Sequence, residues 1–233
     1  MEINEIAGIL LVRKPIGISS FRVVHEVRKF TKQKRVGHAG TLDPFASGLL
    51  IIAIGRQYTK KIVQFQNLSK TYLVDLVFGI QTDSFDSFGN VEITTNRSSI
   101  ISFEREALDG VLSKFLGEQL QYPPIFSAKK VNGKRLYEYA RKGQSVEIRP
   151  NLVTFHEIEL IDYKSGFLPH FRIKLKVSKG TYIRSFVHDL GIKFGVGAYA
   201  KDLVRTHIGE YSLESALDFK DLNCELIKEN LLT

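Results

Sequence analysis

A single carboxylate in a glycine-rich stretch is the first candidate for chemistry in this sequence. Residues 36–55 read VGHAGTLDPFASGLLIIAIG, and glycines at positions 37, 40 and 48 surround Asp43. Glycine lets a loop approach a ligand closely, and Pro44 stiffens the turn that follows the carboxylate. An ionised carboxylate in such a loop can serve as a nucleophile. An isolated Asp-Pro pair is more often only the start of a turn, so both interpretations stay open at this point.

The spacing of the other polar residues excludes several familiar sites. The sequence contains no GxxxxGK[ST] phosphate loop, no GxGxxG that opens a helix after a strand and no HExxH. The stretch DSFDSFGNVE (83–92) has Phe85 where a calcium loop needs an oxygen ligand, so it predicts a turn. The six histidines show no metal-ligand spacing. No metal, nucleotide or redox cofactor is therefore expected.

The cysteine content limits the chemistry further. Cys224 is the only cysteine, which excludes an internal disulfide and any multi-cysteine zinc site. It lies in LNCELIKENLL, and we predict a buried thiol in a terminal helix rather than a nucleophile.

The phrase GHAGTLDPFASGLL resembles the active-site motif of the TruB family, whose members make pseudouridine in the T loop of tRNA. Further stretches resemble the motifs of that family in its own order: the lysine–proline loop LVRKPIGISS, the tyrosine strand SKTYLVDLVFGIQTDSFDSFG, the RNA-clasping insertion YPPIFSAKKVNGKRLYEYARKG, and then SKGTYIRSFVHDLG and GAYAKDLVRTHIGEY. The motifs together span residues 9 to about 211. By this resemblance the chain is identified as a member of the TruB family.

The resemblance implies roles for the residues at matching positions. Asp43 is the expected catalytic nucleophile, Arg184 the arginine that pairs with it, and Tyr72 the tyrosine that lies against the target base. Contacts to the RNA are expected from His38, Tyr182, Leu203, Lys14, Lys129, Lys130 and Arg141. Without the resemblance, a tyrosine on a strand face would be taken as a core residue and an arginine on a helix as a solvated cation.

The implied reaction isomerises uridine to pseudouridine at tRNA position 55. The bond from ribose to N1 of the base breaks and a bond to C5 forms, so a carboxylate nucleophile suffices and no cofactor is needed. The uridine must first leave its stack, which costs a few kcal/mol. The sequence leaves open whether Asp43 attacks C6 of the base or C1′ of the ribose. A non-catalytic RNA-binding or tRNA-folding protein, or a synthase with another RNA target, remains an alternative.

Charge and hydropathy agree with a nucleic-acid partner. The 233 residues carry a formal net charge of +8, and five cations lie within residues 28–35. A second cluster, 129–143, holds six cations and two tyrosines, and 170–180 alternates apolar with basic residues. Such basic surfaces bind phosphate backbones. The longest apolar run is too short to span a bilayer and no secretory leader is evident, so we expect a cytoplasmic protein without membrane contact or obligate protein partner.

Strands and helices alternate irregularly, which predicts an α+β fold. Strands are predicted at 48–55, 71–79, 151–163 and 170–177, and the apolar run at 48–55 predicts burial on both faces of that strand. Helices are predicted at 21–30 with Ser19 or Ser20 as cap and Phe21, Val24, Val27 and Phe30 inward, at 103–117 with Ser102 as cap and Gly117 as end, and at 181–195 with Ile183, Phe186, Val187 and Leu190 inward. The resemblance implies the pseudouridine synthase fold, a mixed and mainly antiparallel sheet flanked by helices with an RNA-clasping insertion. We expect a catalytic domain over 1–211 that includes the insertion 121–150, then a short C-terminal tail, 212–233, with the family's C-terminal PUA domain absent or truncated.

Overall fold

Helices and strands follow one another irregularly in the computed structural model, which describes residues 6–94 and 105–232. The strands are β1 (Gly8–Lys14), β2 (Val36–His38), β3 (Ser47–Ile54), β4 (Lys70–Phe78), β5 (Ile80–Thr82), β6 (Val91–Thr94), β7 (Gly117–Gln121), β8 (Lys130–Val131), β9 (Lys134–Arg135), β10 (Asn151–Lys164), β11 (His170–Val177), β12 (Ala198–Ile208), β13 (Tyr211–Ser212), β14 (Leu217–Asp218) and β15 (Leu231–Leu232). The helices are α1 (Ser20–Thr31), α2 (Arg56–Thr59), α3 (Ile62–Asn67), α4 (Arg105–Leu112), α5 (Leu136–Arg141), α6 (Ile183–Phe194) and α7 (Cys224–Glu229). Among the described residues, no helix is long and apolar enough to cross a membrane.

The chain forms two compact units. The first unit consists of Met1–Tyr72 and Leu203–Thr233, and the second of Leu73–Asp202. The segment predicted as a C-terminal tail contributes strands to the first unit, because β14 pairs with β1 in parallel and β15 pairs with β1 in antiparallel. The insertion 121–150 lies in the second unit.

The first unit is built on β3, which is buried along nearly its whole length. β3 pairs antiparallel with β1 from Gly8↔Ile54 to Lys14↔Gly48, and parallel with β12 at Val204↔Ser47 and Arg205↔Gly48. One side of this sheet is covered by α1 and α7 and the other by α2 and α3. The continuous apolar run of β3 follows from this double coverage, as the sequence predicts.

The start of α1 agrees with the sequence in its cap and disagrees in its buried face. The Ser19 hydroxyl accepts a hydrogen bond from the Arg22 backbone N–H at 3.2 Å, which caps the helix. The prediction that Phe21 points inward is wrong, since this side chain is 62% exposed. Val24 and Val27 are buried as predicted, and the helix also turns Ser20 toward the interior, where its hydroxyl binds the backbone of Leu42.

The second unit is a sheet in the order β4–β11–β10–β7 with α6 against it. β10 pairs antiparallel with both β11 and β7. Aromatic rings fill the space beneath α6: Phe186 lies 5.4 Å from Phe155 and 5.0 Å from Phe115, measured between ring centroids. The four residues of α6 predicted to point inward are all buried, and the helix ends at Gly195 with φ 67°.

The basic face of β11 is more neutral than its sequence suggests. Arg172 forms two hydrogen bonds with the carboxylate of Asp75, at 2.7 and 2.8 Å. Lys174 and Lys176 pair with glutamates 159 and 157 on β10, at 3.4 and 3.0 Å. The sequence shows the alternation of apolar and basic residues within β11, whereas the acidic residues that pair with these cations lie on the neighbouring strands. This face is therefore a poor candidate for phosphate binding.

Two further sequence predictions need correction or lie outside the structure. Cys224 is exposed as the first residue of α7, so the prediction of a buried thiol is wrong; Ile227 faces the core instead. Ser102, the predicted cap of the helix before Gly117, lies outside the described residues. That helix ends at Leu112, a 3-10 turn covers Ser113–Phe115, and Gly117 begins β7.

Candidate active site

The loop that carries Asp43 is fixed on both sides of the carboxylate. On one side, the Ser20 hydroxyl accepts a hydrogen bond from Leu42 N (2.8 Å) and donates one to Leu42 O (3.1 Å). On the other side, the backbone N–H of Gly17 donates to Pro44 O at 2.8 Å. Leu42 is buried, Asp43 is half-buried and Pro44 is exposed. The fold therefore holds this aspartate at the surface of the first unit on an immobilised backbone.

Arg205 holds the same loop from the interior of the first unit. Its guanidinium is almost completely buried and donates to Leu49 O at 2.8 Å and to Gly40 O at 3.1 Å. A buried charge without partners would be unstable, so these carbonyl contacts fix the arginine and the loop together. Gly48 is required for this packing: its φ is 112°, and a Cβ there would collide with the backbone of Arg205.

Lys14, one of the predicted site residues, is completely buried. Its ammonium donates to Pro15 O and Ile18 O, both at 2.8 Å. Burial lowers the pKa of Lys14 from the ordinary 10.5 to about 8. The Asp43 carboxylate attracts the ammonium and opposes this lowering of the pKa, whereas the Arg205 cation adds to it. Lys14, Asp43 and Arg205 thus form one electrostatic group.

His38 belongs to this group as well. It ends β2, and its Nδ1 is buried without a hydrogen-bond partner in the described part of the chain. Burial lowers the pKa of His38 below 6.5 and the Arg205 cation lowers it further, while a hydrogen bond with the backbone of Gly40 raises it. The imidazole is therefore neutral near pH 7.

Tyr72 and Leu203 are the other predicted site residues of the first unit. Tyr72 lies on β4 and is 8% exposed, in phase with the buried Lys70 and Val74. Leu203 lies on β12 and is 5% exposed. Their burial fits both a structural role and a contact with a base.

The second unit holds Arg184 in a fixed orientation. The side chain is 3% exposed and forms an ion pair with Asp86, with 3.2 Å from Nη1 to Oδ2. Nη1 also donates to Ser84 O at 2.8 Å, and Nη2 donates to Phe126 O at 2.9 Å. These contacts fix the plane of the guanidinium, which matters for any partner that arginine binds through its planar fork.

Asp86 is itself held by the loop that bears it. Its Oδ1 accepts from the Ser84 hydroxyl at 2.7 Å and from Phe88 N at 3.0 Å, and its carbonyl accepts from the Thr82 hydroxyl at 2.8 Å. Gly89 allows this close approach, since a Cβ there would collide with Ser84 Oγ. The predicted turn is therefore confirmed, and it serves to present a carboxylate to Arg184.

Tyr182 and the insertion complete the predicted set. Gln121 binds the backbone of Tyr182 twice, through Tyr182 N (2.7 Å) and Tyr182 O (3.0 Å), which fixes the start of α6. Lys129 donates to Arg149 O (2.9 Å) and Asn151 Oδ1 (2.6 Å), so this ammonium links the first half of the insertion to its C-terminal end.

Lys130 and Arg141 are exposed. Arg141 lies over the ring of Tyr137, at 5.3 Å from its centroid. Within residues 6–94 and 105–232, no group of three or more His, Cys, Asp or Glu side chains is arranged to hold a metal ion.

Comparison with known proteins decides the family. The model of the N-terminal domain of TruB family pseudouridylate synthases matches residues 28–183. The tRNA pseudouridine synthase B of Dehalococcoides mccartyi is 46% identical over 215 residues, which are 92% of this chain and 69% of that protein. The enzyme of the same name from Protochlamydia amoebophila is 41% identical over 98% of this chain and 85% of its own length. This chain belongs to the TruB family. The prediction of the family from its motifs is confirmed.

Solved structures show the same fold in more distant proteins. A chain of the archaeal box H/ACA sRNP Nop10–Cbf5 complex matches with a TM-score of 0.69 at 21% identity, over 99% of this chain and 60% of that one. A chain of a Cbf5–Nop10–Gar1 complex matches with a TM-score of 0.68 at 24% identity, over 95% and 55%. The predicted pseudouridine synthase fold is confirmed for this TruB family member.

Sequence reasoning missed Arg205, Asp86 and Ser20 in this TruB protein. The one local signal for Arg205 is that it is in phase with the apolar Leu203 on β12, although Lys201 and His207 share that face. Asp86 and Ser20 carry no comparable signal, since acids in turns and serines near helix caps are common. Only the contacts with Arg184 and Leu42 give these two residues a role.

The electrostatic coupling of Lys14 and Asp43 can be measured directly. Asp43→Asn removes the negative charge that favours the protonated amine, so we expect the pKa of Lys14 to fall below about 8. A titration of the lysine Cε resonances by NMR reports this change. As a control, Asp218→Asn removes a carboxylate that pairs with the neighbouring Arg13 and should leave the Lys14 titration as it is. A Lys14 titration that is identical in wild type and Asp43→Asn would contradict the coupling.

The buried ion pair of Arg184 should matter far more for stability than an exposed one. Asp86→Ala leaves a buried guanidinium without the carboxylate that faces it, and we expect a loss of about 3–5 kcal/mol in the free energy of unfolding. Asp75→Ala breaks the pair with Arg172, whose side chain is half exposed, and should cost about 0–1 kcal/mol. Urea denaturation of both variants makes the comparison. Equal losses would show that Arg184 does not depend on Asp86.

Proposed function

We propose that this protein isomerises the uridine at position 55 of the tRNA T loop to pseudouridine, with Asp43 as nucleophile. The observation that carries the proposal is the Asp43 loop: its backbone is fixed through Leu42 and Pro44, and the carboxylate attracts the buried ammonium of Lys14. The relatives named tRNA pseudouridine synthase B support tRNA as the substrate. A cytoplasmic location is part of the proposal, since tRNA is modified where it matures.

The reaction requires only what this site contains. The ribose–N1 bond breaks, a ribose–C5 bond forms, C5 loses its proton and N1 gains one, so atoms and oxidation states balance within one nucleotide. The carboxylate of Asp43 provides the temporary covalent partner, by attack at C6 or at C1′. Its half-buried position fits this role, because a flipped base can reach it while water has limited access.

Arg184 is assigned the pairing with Asp43, as the resemblance to the family implies. The support from the structure is that the guanidinium is already oriented by Asp86, Ser84 and Phe126 within its own unit. An arginine that is oriented in advance can fix a carboxylate in one orientation through two parallel hydrogen bonds. Tyr72 is assigned the contact with the target base, and Leu203 and Tyr182 are assigned further contacts with the RNA.

The RNA itself is assigned to His38, Lys14 and the insertion. An extruded base leaves a gap in the stack, and the half-buried imidazole of His38 beside the Asp43 group is suited to contact RNA there. In the insertion, Lys130 and Arg141 are exposed and the ring of Tyr137 lies beside Arg141. Cations interleaved with aromatic rings are typical of surfaces that bind single-stranded RNA.

The nucleophile assignment predicts a separation of turnover from binding. Asp43→Asn should abolish pseudouridine formation in a T-arm hairpin, because an amide is not a nucleophile, and it should retain RNA affinity within about threefold, because no phosphate contact is lost. Mass-spectrometric mapping of pseudouridine and a filter-binding titration measure the two effects.

The matched control is Asp218→Asn, the same change at a surface carboxylate paired with Arg13, which should turn over as wild type. Pseudouridine made by Asp43→Asn would remove Asp43 from its role. A wild-type protein that binds the hairpin and leaves every uridine unmodified would favour the non-catalytic RNA-binding alternative.

The insertion is expected to contribute phosphate contacts. Reversing charge at Lys130 and Arg141 should weaken RNA binding and reduce the slope of log K against log salt by roughly 0.7–0.9 for each lost contact. The control reverses Lys174 and Lys176, which already pair with glutamates, and should change the slope little. Identical slopes in the two double variants would mean that Lys130 and Arg141 are merely solvated.

A further inference from the structure

The loop between β5 and β6, residues 83–90, determines how Arg184 is held. Two groups that bind the guanidinium, Ser84 O and the Asp86 carboxylate, belong to this loop. Any change in the conformation of the loop therefore moves the arginine. An interaction that stabilises the conformation of the residue between Ser84 and Asp86 therefore acts indirectly on Arg184.

That residue, Phe85, adopts a backbone conformation that bulky side chains rarely take. Its φ is 62°, in the left-handed region that favours glycine. Its backbone is tied on both sides: Phe85 N donates to Thr82 O at 3.1 Å, and Phe85 O accepts from Ala200 N at 3.0 Å. Unfavourable conformations of this kind persist where the surroundings impose them, and they are concentrated at functional sites.

The Phe85 ring is held by His188. The two rings are stacked, with centroids 3.8 Å apart and planes 10° from parallel. His188 follows Arg184 by four residues on α6, so both side chains lie on the same face of the helix. One helix face thus contacts the same loop twice, through the guanidinium at Ser84 and Asp86 and through the imidazole at Phe85.

The imidazole of His188 contributes its ring face to this contact. Its Nδ1 is buried and makes no hydrogen bond within the described residues. Burial lowers the pKa of His188 below 6.5, against a smaller opposing effect of Glu92, so the stacked ring is neutral near pH 7. A neutral ring without a hydrogen bond at Nδ1 behaves here as an aromatic plate.

We propose that the Phe85–His188 stack positions Arg184 for the reaction, by locking residues 83–90 in the conformation that binds the guanidinium. Phe85 and His188 are positioning residues in this proposal, since they act through Ser84 and Asp86 and not on the substrate. The proposal rests on the proposed function, because the reaction is what the arginine is positioned for.

Two substitutions of His188 distinguish stacking from other roles of this residue: one removes the ring and the other replaces it with a different ring. His188→Ala should lower kcat on a T-arm hairpin about tenfold or more, with KM and RNA affinity within about twofold, because a misplaced catalytic group affects the chemical step. His188→Phe restores an aromatic plate and should keep kcat within about twofold of wild type. The control is His156→Ala, an exposed histidine on β10, which should behave as wild type. A His188→Phe variant that folds but loses activity would overturn the proposal, because the imidazole would then act through its polar atoms.

A double-mutant cycle tests whether His188 acts through Phe85. Glycine adopts a φ of 62° without strain and has no ring on which His188 could stack. In a Phe85→Gly background the further change His188→Ala should therefore lower kcat by less than about twofold. The same tenfold loss in both backgrounds would show that His188 acts elsewhere, which contradicts the proposal.

Hydrogen exchange gives a readout that does not depend on activity. The Ala200 amide donates to Phe85 O, so its exchange should be faster in His188→Ala and unchanged in His188→Phe. If the wild-type protein makes no pseudouridine while the exchange of the Ala200 amide changes in this way, the proposed function is wrong but the stack still locks the loop. If Ala200 exchange is the same in all three proteins, the stack does not lock the loop, whatever the activity.

Discussion

A buried guanidinium bound to backbone carbonyls is the interaction on which both units of this protein depend. In the first unit, Arg205 binds Leu49 O and Gly40 O and so holds the loop of Asp43. In the second, Arg184 binds Ser84 O and Phe126 O as well as a carboxylate. An arginine removed from water needs several well-placed acceptors, so the surrounding backbone has little freedom to move. The cost of burying two cations is offset by loops with one defined conformation.

The same constraint sets the electrostatics around Asp43. In the proposed reaction, Asp43 is an anionic nucleophile that must receive an anionic RNA, so it benefits from cations close by. Its carboxylate attracts the ammonium of Lys14, and the Arg205 cation acts on Lys14 in turn. The two differ in kind, since a guanidinium stays charged at every accessible pH while burial lowers the pKa of Lys14 to about 8. Lys14 therefore brings a protonation equilibrium close to physiological pH into a group whose other cation is fixed.

The distribution of positive charge illustrates why a net value is a weak guide to an interface. The sequence carries +8, yet the cations of β11 face carboxylates of β4 and β10. Neutral strips of this kind stabilise a sheet surface slightly and do not attract phosphate. Arg141 of the insertion has a different neighbour, because its guanidinium lies over an aromatic ring.

The sequence by itself determined the family, the α+β class and most elements, because motif order, strand alternation and helix caps are local properties. It identified Asp43 and Arg184 only through resemblance, since isolated aspartates and arginines have many structural uses. It predicted Phe21 in the core and Cys224 as a buried thiol in a terminal helix, and both side chains are exposed. The phase of α1 depends on the Ser20 hydroxyl meeting Leu42, a contact between residues distant in sequence.

Tertiary structure alone decided the partners of the charged groups. Asp86 meets Arg184 across 98 residues of sequence, and Arg205 meets Gly40 across 165. Such contacts produce no periodic pattern in the sequence. They depend on which loops the sheet brings together and on how far the charged group is then removed from water. Local sequence patterns specify which helices and strands form. Buried contacts between residues far apart in sequence specify which charged side chains are bound and how rigidly.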